Sequence, residues 1–352
     1  NMKAAVSTGV KREIVIKEIP KPSVKPGMLL MKVKCCSICG TDLEFLDNSL
    51  AYRPGGELKA GAILGHEYCA EVAEIGEGVS GWSVGDRATI SGVRPTCGEC
   101  YFCRNRMPQL CHGKNNERGI YTQAMPGGFG GQSGALTEYI LRSPTALLKL
   151  PDGVTDEEGA LVEPLNIGVG SVNLAKIEPG DSAVIIGAGK IGLGAMMMAK
   201  AAGASPIIVT DIHQNRLDKA LEMGADVAIN VKEQDFVEEI VKIIPPGPDV
   251  IFICVRDGEV LNESVELIRR GGKIIVVGQI APTTMMPGMW IPKQLTIAAV
   301  FRQTPIIKSL DMISKKLVDV KPMVSEIFSL DEIQEACNSM WSGKNIVAMV
   351  KP

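Results

Sequence analysis

Four cysteines lie close together near residue 100 of the 352-residue chain. Gaps of two residues separate Cys97, Cys100 and Cys103, and Cys111 follows after seven more. Such a short loop can gather four thiolates, which fill the tetrahedral shell of a structural zinc ion and leave no position for a substrate. The alternative is a group of unmetallated or disulfide-bonded cysteines, which rarely occurs at this density in a chain with cytosolic features. The spacing therefore predicts a structural zinc lobe over residues 95–112.

A glycine-rich turn lies further along, between an apolar run and a helical pattern. Gly187 permits a tight turn, Gly189 lets the backbone approach a pyrophosphate, and Gly192 lets the helix pack close to the sheet. The first amide groups of that helix and its positive dipole end would face the phosphates. In this context the triplet predicts a dinucleotide site; a parallel sheet with a glycine turn and no cofactor is the alternative.

Asp211 supports the cofactor interpretation, because it ends the next apolar strand, 19 residues after Gly192. A carboxylate there can accept both ribose hydroxyls of NAD and would repel a 2′-phosphate. We therefore predict NAD, with NADP less favoured, although His213 and Arg216 nearby weigh against this preference. The predicted cofactor-binding residues are Gly187, Gly189, Lys190, Ile191, Gly192, Asp211 and Arg216.

A second group of candidate metal ligands lies nearer the N-terminus, in Cys39-Gly-Thr-Asp42 and Gly65-His-Glu67. A thiolate and an imidazole are common ligands of catalytic zinc, which keeps one position open. Taken alone, His66 is more typical of a packed core histidine, and Glu163 of a surface acid.

Together these motifs resemble the zinc-dependent medium-chain dehydrogenase/reductase family, which includes alcohol, sorbitol and butanediol dehydrogenases. The resemblance covers essentially the whole chain, because the motifs occur in the family's order and at its spacing. They are Cys39-Gly-Thr-Asp42, Gly65-His-Glu67, Gly85-Asp-Arg87, the four-cysteine lobe, Gly134–Tyr139, Glu163-Pro164 and the Gly187 turn.

The resemblance implies a catalytic zinc site at Cys39 and His66, with Glu67 and Glu163 as the remaining carboxylates. In polyol-type relatives one carboxylate binds zinc and the other acts through the water on the metal, and the sequence leaves open which is which. Asp42 resembles the acid that orients the ligand histidine. Zinc as a Lewis acid lowers the pKa of an alcohol, and hydride passes from the carbinol carbon to the nicotinamide.

Four further residues are candidates for proton transfer or substrate binding. Thr41 resembles the hydroxyl that starts a proton relay, with a turn-capping role as the alternative. Glu44 stands where many relatives have a histidine, as a relay terminus or substrate contact. Phe301-Arg302 resembles the pair at the substrate mouth of polyol dehydrogenases, although this arginine could also be a surface or interface charge. Arg302 with Glu44 and Glu163 favours a multiply hydroxylated substrate over a hydrophobic alcohol.

The sequence pattern of the elements that must position these residues changes near residues 177–180. The earlier part reads as short strands separated by glycine-rich turns, whereas from Ser182 onward apolar runs alternate with helical patterns, which predicts a parallel sheet covered on both faces. We predict an α/β fold with two domains: a doubly wound Rossmann domain over 165–302, and a discontinuous, mostly β, GroES-like catalytic domain over 1–164 and 303–352. The predicted Rossmann strands are Ala183–Ile186, Pro206–Val209, Val227–Asn230, Val250–Cys254, Lys273–Val277 and Gln294–Val300, and the predicted helices are Ile191–Ala202, Asn215–Met223, Asp235–Ile243 and Glu259–Arg269.

Composition narrows the functional classes. A formal net charge of −3 disfavours a nucleic-acid surface. We find no apolar stretch of the roughly 18–20 residues that a membrane helix needs and no secretory signal at the N-terminus. The clustering of the cysteines predicts a reducing cytoplasm. The expected partners are a small alcohol, polyol or ketone and a second copy of the chain, since relatives are homodimers or homotetramers.

Four other functions are alternatives to this prediction. A zinc-free reductase of the same fold would lack the Cys39 and His66 pair. A zinc-ribbon protein that binds nucleic acid is disfavoured by the acidic balance. A simple alcohol dehydrogenase, or a carbonyl reductase that works in the opposite direction, stays open, because one site catalyses both directions.

Overall fold

The computed structural model describes residues 1–51, 56–92, 97–107, 110–111, 134–300 and 305–352. The chain divides into two compact units. Unit 1 comprises Asn1–Glu163, Thr304–Ser314 and Val324–Pro352, and unit 2 comprises Pro164–Gln303 and Lys315–Met323. Residues 315–323, which we expected in the catalytic domain, thus group with unit 2.

The regular elements of the described residues follow in chain order. The strands are β1 Met2–Ser7, β2 Ile14–Ile19, β3 Leu29–Ser37, β4 Glu67–Ile75, β5 Arg87–Ile90, β6 Tyr139–Arg142, β7 Leu147–Lys149, β8 Ala183–Ile186, β9 Ile207–Asp211, β10 Val227–Asn230, β11 Val250–Ile253, β12 Lys273–Val276, β13 Thr296–Ala299, β14 Val324–Ser329 and β15 Val347–Lys351. The α-helices are α1 Gly40–Leu46, α2 Tyr101–Arg104, α3 Asp156–Ala160, α4 Val162–Ala175, α5 Lys190–Ala201, α6 Gln214–Glu222, α7 Phe236–Ile243, α8 Glu259–Leu267, α9 Ile307–Ser314 and α10 Ile333–Trp341. None of these helices is both long enough and apolar enough to cross a membrane.

Unit 1 is built on a seven-stranded sheet with the order β14-β15-β3-β4-β5-β7, in which β6 also pairs with β3. The longest strand pairing in this sheet is the antiparallel pairing of β3 with β4. Its register places Ser37 opposite Glu67. The residue after the end of β3 and the residue before the start of β4 therefore lie side by side. This register brings together two motifs that are far apart in the sequence.

Unit 2 is a parallel six-stranded sheet with the order β10-β9-β8-β11-β12-β13. This is the order of a doubly wound dinucleotide-binding sheet. The central strands β8 and β11 are buried at every residue, because helices cover both faces and the sequence there is almost entirely Val, Ile and Ala. The predicted Rossmann sheet is confirmed.

Helices α4 and α5 approach closely at Gly168. A Cβ atom added to Gly168 would lie 2.6 Å from the carbonyl oxygen of Gly194, whereas one added to Gly194 would have no neighbour nearer than 3.8 Å. We expect Gly168→Ala to destabilise the protein by about 1–3 kcal/mol through overpacking. Gly194→Ala should be neutral or stabilise by up to about 1 kcal/mol, because alanine is the better helix former. Thermal unfolding of both variants checks this, and equal melting temperatures would contradict it.

Candidate active site

Cys39, His66 and Glu67 form one cluster. The sulfur of Cys39, a ring nitrogen of His66 and a carboxylate oxygen of Glu67 all lie within 4.8 Å of one another. Cys39 directly precedes α1, His66 directly precedes β4, and Glu67 is fully buried. A thiolate, an imidazole and a carboxylate at this spacing fit three protein ligands of a catalytic zinc ion with one coordination position left open.

Asp42 links the two segments that carry Cys39 and His66. One of its carboxylate oxygens accepts the backbone N–H of Cys39 at 3.0 Å, and the other accepts that of Gly65 at 3.2 Å. The second oxygen also lies 3.5 Å from Nδ1 of His66. Asp42 therefore orients the imidazole through Nδ1, as acids behind metal-binding histidines do.

The charges around His66 favour a positive charge at this position. Burial works to lower the pKa of His66, but the Cys39 thiolate and the Asp42 carboxylate raise it well above its usual range. Burial likewise opposes ionisation of Asp42, yet His66 and the two backbone N–H groups lower its pKa. In the absence of metal, these two anions favour the protonated, positively charged form of His66. A metal ion that binds His66 must displace that proton.

Gly65 is a residue whose structural role the sequence reasoning missed. Its φ angle is +93°, a conformation that side chains with a Cβ rarely adopt. A Cβ atom would lie 2.8 Å from the sulfur of Cys36 and 2.9 Å from Cγ of Leu136. Glycine is therefore required for the backbone to give its N–H to Asp42 and to place His66. The only signal in the sequence is its position immediately before the histidine.

The remaining predicted site residues lie as follows. Thr41 and Glu44 are half-buried on α1. Glu163 is buried near the start of α4 and, among the described residues, is not part of the group that Cys39 forms with His66. The structure thus brings Glu67, and not Glu163, to the other two donors. Arg302 lies outside the described residues.

The four cysteines of the lobe also come together. The sulfur of Cys97 lies 3.7 Å from that of Cys111 and 3.9 Å from that of Cys103, and the sulfurs of Cys100 and Cys111 are 3.9 Å apart. Zinc–sulfur bonds of about 2.3 Å give sulfur–sulfur distances of about 3.8 Å in a regular tetrahedron. The backbone N–H of Cys103 donates to Cys100 and lowers the pKa of that thiol to about 6. The donor set therefore fits a zinc ion without rearrangement.

The glycine-rich turn has the geometry that a dinucleotide site needs. Gly187, with a φ angle of +101°, begins the tight turn directly after β8, and α5 begins directly after Gly189. A Cβ atom on Gly192 would overlap the carbonyl oxygen of Gly187. The helix start can therefore pack against the turn and present its amide groups there.

Asp211 lies beside this turn at the end of β9, and only 7% of it is exposed. Its carboxylate accepts the backbone N–H of Ala188 at 2.7 Å and that of His213 at 2.9 Å. Nη1 of Arg216 is 4.0 Å from one of its oxygens. The predicted ribose-binding acid is therefore fixed at the edge of the predicted cofactor site.

Comparisons with known proteins agree with this geometry. Residues 25–152 match the model of the alcohol dehydrogenase GroES-like domain, and residues 191–315 match that of the zinc-binding dehydrogenases. Sorbitol dehydrogenase of Bacillus subtilis (strain 168) is 34% identical to this chain, and the match covers 100% of this chain and 98% of the relative. The chain belongs to the zinc-dependent medium-chain dehydrogenase family. The predicted family is confirmed, and with it the dehydrogenase class and the use of zinc and a nicotinamide cofactor.

Solved structures support the same fold. The structure of 2R,3R-butanediol dehydrogenase from Bacillus subtilis has a TM-score of 0.84 and 29% identity, and the match covers 100% of both chains. A protein described as a zinc-binding dehydrogenase of Sinorhizobium meliloti 1021, bound to NADP, has a TM-score of 0.86 and 27% identity, covering 100% of this chain and 99% of that one. The GroES-like part of the predicted fold is thereby confirmed. Because a member of the family binds NADP, the cofactor preference of this chain must come from its own residues.

Asp211 provides a direct test of that preference. We expect Asp211→Gly to shift the ratio of kcat/KM for NAD over NADP at least about tenfold toward NADP, because the repulsion of a 2′-phosphate is removed. The glycine variant also loses the hydrogen bonds to Ala188 and His213. Asp211→Asn, which keeps an acceptor oxygen but not the charge, is the matched control and should shift the ratio in the same direction. An unchanged ratio in both variants would show that Asp211 does not select the cofactor.

Proposed function

We propose that the protein oxidises a secondary alcohol within a polyol, with NAD as the hydride acceptor, or reduces the corresponding ketone. The cluster of Cys39, His66 and Glu67 is the observation that carries this proposal, because its three donor atoms lie close enough together to bind one zinc ion, with a carboxylate as third ligand. The relatives include sorbitol dehydrogenases of Bacillus subtilis and Bombyx mori and an L-idonate 5-dehydrogenase of Vitis vinifera. These names share polyhydroxylated substrates, which supports a polyol here.

In this proposal each candidate site residue of unit 1 has one role. Cys39, His66 and Glu67 bind zinc, and Asp42 keeps the His66 ring oriented. Thr41 takes the proton that the alcohol loses and passes it toward solvent. When bound, zinc supplies a Lewis acid that lowers the pKa of the alcohol, and NAD accepts the hydride. Unit 1 is then the catalytic domain and unit 2 the nucleotide-binding domain.

Three more residues complete the proposed substrate environment. Glu163, as the second carboxylate, would contact the water on the metal instead of the metal itself. Glu44 replaces the usual histidine and, with Arg302, would accept or donate hydrogen bonds to additional hydroxyl groups of the substrate. These charges would make the entry of a long apolar chain unfavourable.

Two measurements test the proposal. Metal analysis of the purified protein should give two zinc ions per chain, whereas one would leave only the cysteine lobe metallated. Initial rates with NAD should give a kcat/KM at least about tenfold higher for polyols and sugars than for primary aliphatic alcohols, the margin that about 1.4 kcal/mol of specific contacts would give. A preference for long-chain aliphatic alcohols would refute the polyol assignment.

We also propose a homodimer or homotetramer in a reducing cytoplasm. Strand β13 lies at the edge of the six-stranded sheet and carries an exposed residue at each end. An exposed edge strand can pair with a second copy of itself. All ten cysteines lie among the described residues, and none forms a disulfide, which is consistent with a reducing compartment. Sedimentation equilibrium should show dimers or tetramers, and a monomer at all concentrations would refute this assembly.

A further inference from the structure

The segment that follows β12, residues 277–284, is attached to the first turn of α8, and we call it the β12 loop. The hydroxyl group of Thr283 donates a hydrogen bond to a carboxylate oxygen of Glu259 at 2.7 Å. The side-chain amide of Asn262 donates to the backbone carbonyl of Thr284 at 3.0 Å. Glu259 and Asn262 both lie on α8. Two side chains of the helix therefore hold two consecutive residues of the loop.

The backbone around this contact is also closely packed. The N–H of Ala281 donates to the carbonyl of Arg256 at 2.8 Å. A Cβ atom added to Gly258, which directly precedes α8, would lie 2.6 Å from Cβ of Thr283 and 2.9 Å from the carbonyl oxygen of Ala281. The absence of a side chain at Gly258 therefore lets the β12 loop lie directly on the start of the helix.

The β12 loop begins beside the predicted cofactor turn. A Cβ atom on Gly278 would lie 2.8 Å from the carbonyl oxygen of Val255, and one on Gly187 would lie 2.6 Å from Cγ1 of the same valine. The segments that follow β8, β11 and β12 are thus neighbours at the carboxyl edge of the parallel sheet. A dinucleotide binds across this edge, with one half on each side of the point between β8 and β11 where the strand order reverses. Because Asp211 ends β9, the adenosine half belongs over β8 and β9, and the nicotinamide half over β11 and β12.

We infer that Thr283 and Glu259 are positioning residues for the nicotinamide half of the cofactor, because their hydrogen bond keeps the β12 loop where it borders that half. The inference rests on the proposed use of NAD and extends it to two residues that act through the backbone of the loop. Without the bond, the loop occupies other conformations for more of the time. The apparent affinity then falls in proportion to the fraction of molecules that keep the binding conformation. The adenosine half lies away from this loop and should bind as before.

Isothermal titration of the purified, zinc-loaded protein with NADH and with ADP-ribose tests this inference. Both molecules contain the adenosine and the pyrophosphate, but only NADH has the nicotinamide ring. Thr283→Val replaces the hydroxyl group with a methyl group of similar size and so removes the donor to Glu259. We expect this variant to bind NADH about fivefold more weakly, the loss that follows when roughly one fifth of the molecules keep the binding conformation. Its affinity for ADP-ribose should change less than about twofold, because that ligand does not reach the loop.

Three further variants separate this role from a general effect on the fold. Thr284→Val is the matched control, because Thr284 is exposed and the carbonyl that it offers to Asn262 is kept; both affinities should stay unchanged. Thr283→Ser keeps the donor and should restore most of the NADH affinity, whereas Glu259→Ala should reproduce the loss. An equal loss for NADH and ADP-ribose in Thr283→Val, or no loss at all, would overturn the inference. If the unmodified protein binds neither molecule, the proposed use of NAD fails instead.

Discussion

Replacing Cys39 with serine is expected to abolish turnover and to reduce the zinc content from two ions to one per chain. A serine hydroxyl stays protonated at neutral pH and is a much poorer zinc ligand than a thiolate. Without the Lewis acid, several kcal/mol of stabilisation of the developing alkoxide charge is lost, so kcat/KM should fall on the order of a thousandfold or more. Initial rates and metal analysis on the same sample measure both effects.

The fold should survive this change, and a control shows whether it does. Cys39 precedes α1 and belongs to no strand, so that the sheet of unit 1 does not depend on its side chain. The melting temperature and the affinity for ADP-ribose should therefore remain close to those of the unmodified protein. Cys337→Ser, which changes a buried thiol of α10, should retain turnover and both zinc ions. If Cys39→Ser keeps its activity, or if it unfolds, the cluster is not the catalytic metal site.

The parallel sheet of unit 2 could be predicted from the sequence almost residue by residue. Strands β8 and β10 begin and end where the pattern predicts, and β9, β11 and β12 differ by one or two residues. The reason is physical: a parallel strand buried on both faces needs an uninterrupted apolar run, and the helices between such strands have their own period. Local sequence therefore contains most of the information that determines where these strands begin and end.

Unit 1 could be predicted only in outline. Its sheet joins β15, from the last residues of the chain, to β3 near the beginning. Antiparallel pairing between distant segments depends on register, which the alternation of apolar residues does not specify. The irregular lobes between the strands add a further difficulty, because their glycine turns show where the chain bends but not toward what.

In the candidate active site, too, the sequence indicated residue types but not which residues pack together. The family resemblance implied Cys39 and His66 as ligands, but it did not distinguish Glu67 from Glu163. The nearness of Glu67 to the other two donors depends on the pairing of Ser37 with Glu67 across β3 and β4, which places the start of β4 beside the end of β3. The task of Gly65 is likewise a property of the packed structure, since it depends on the positions of Cys36 and Leu136.

Replacing Cys100 with serine is expected to have the opposite effect from the Cys39 change. Cys100 supplies one of four sulfurs in a closed donor set, and structural zinc sites contribute directly to folding free energy. The variant should lose the lobe zinc and unfold at a temperature roughly 10 °C lower, given how steeply melting temperature depends on stability in domains of this size. Its turnover, measured at once and at low temperature, should remain within about threefold of the original, because no residue of the Cys39 cluster belongs to the lobe.

The pattern across three variants makes this prediction specific. Cys111→Ser should behave like Cys100→Ser, because both sulfurs would bind the same ion and lie 3.9 Å apart. Glu99→Ser alters an exposed side chain between two of the cysteines and should leave zinc content and melting temperature unchanged. Metal analysis and thermal unfolding decide the matter. A Cys100→Ser protein that keeps two zinc ions, or loses turnover while its melting temperature stays the same, would mean that the lobe is not a structural zinc site.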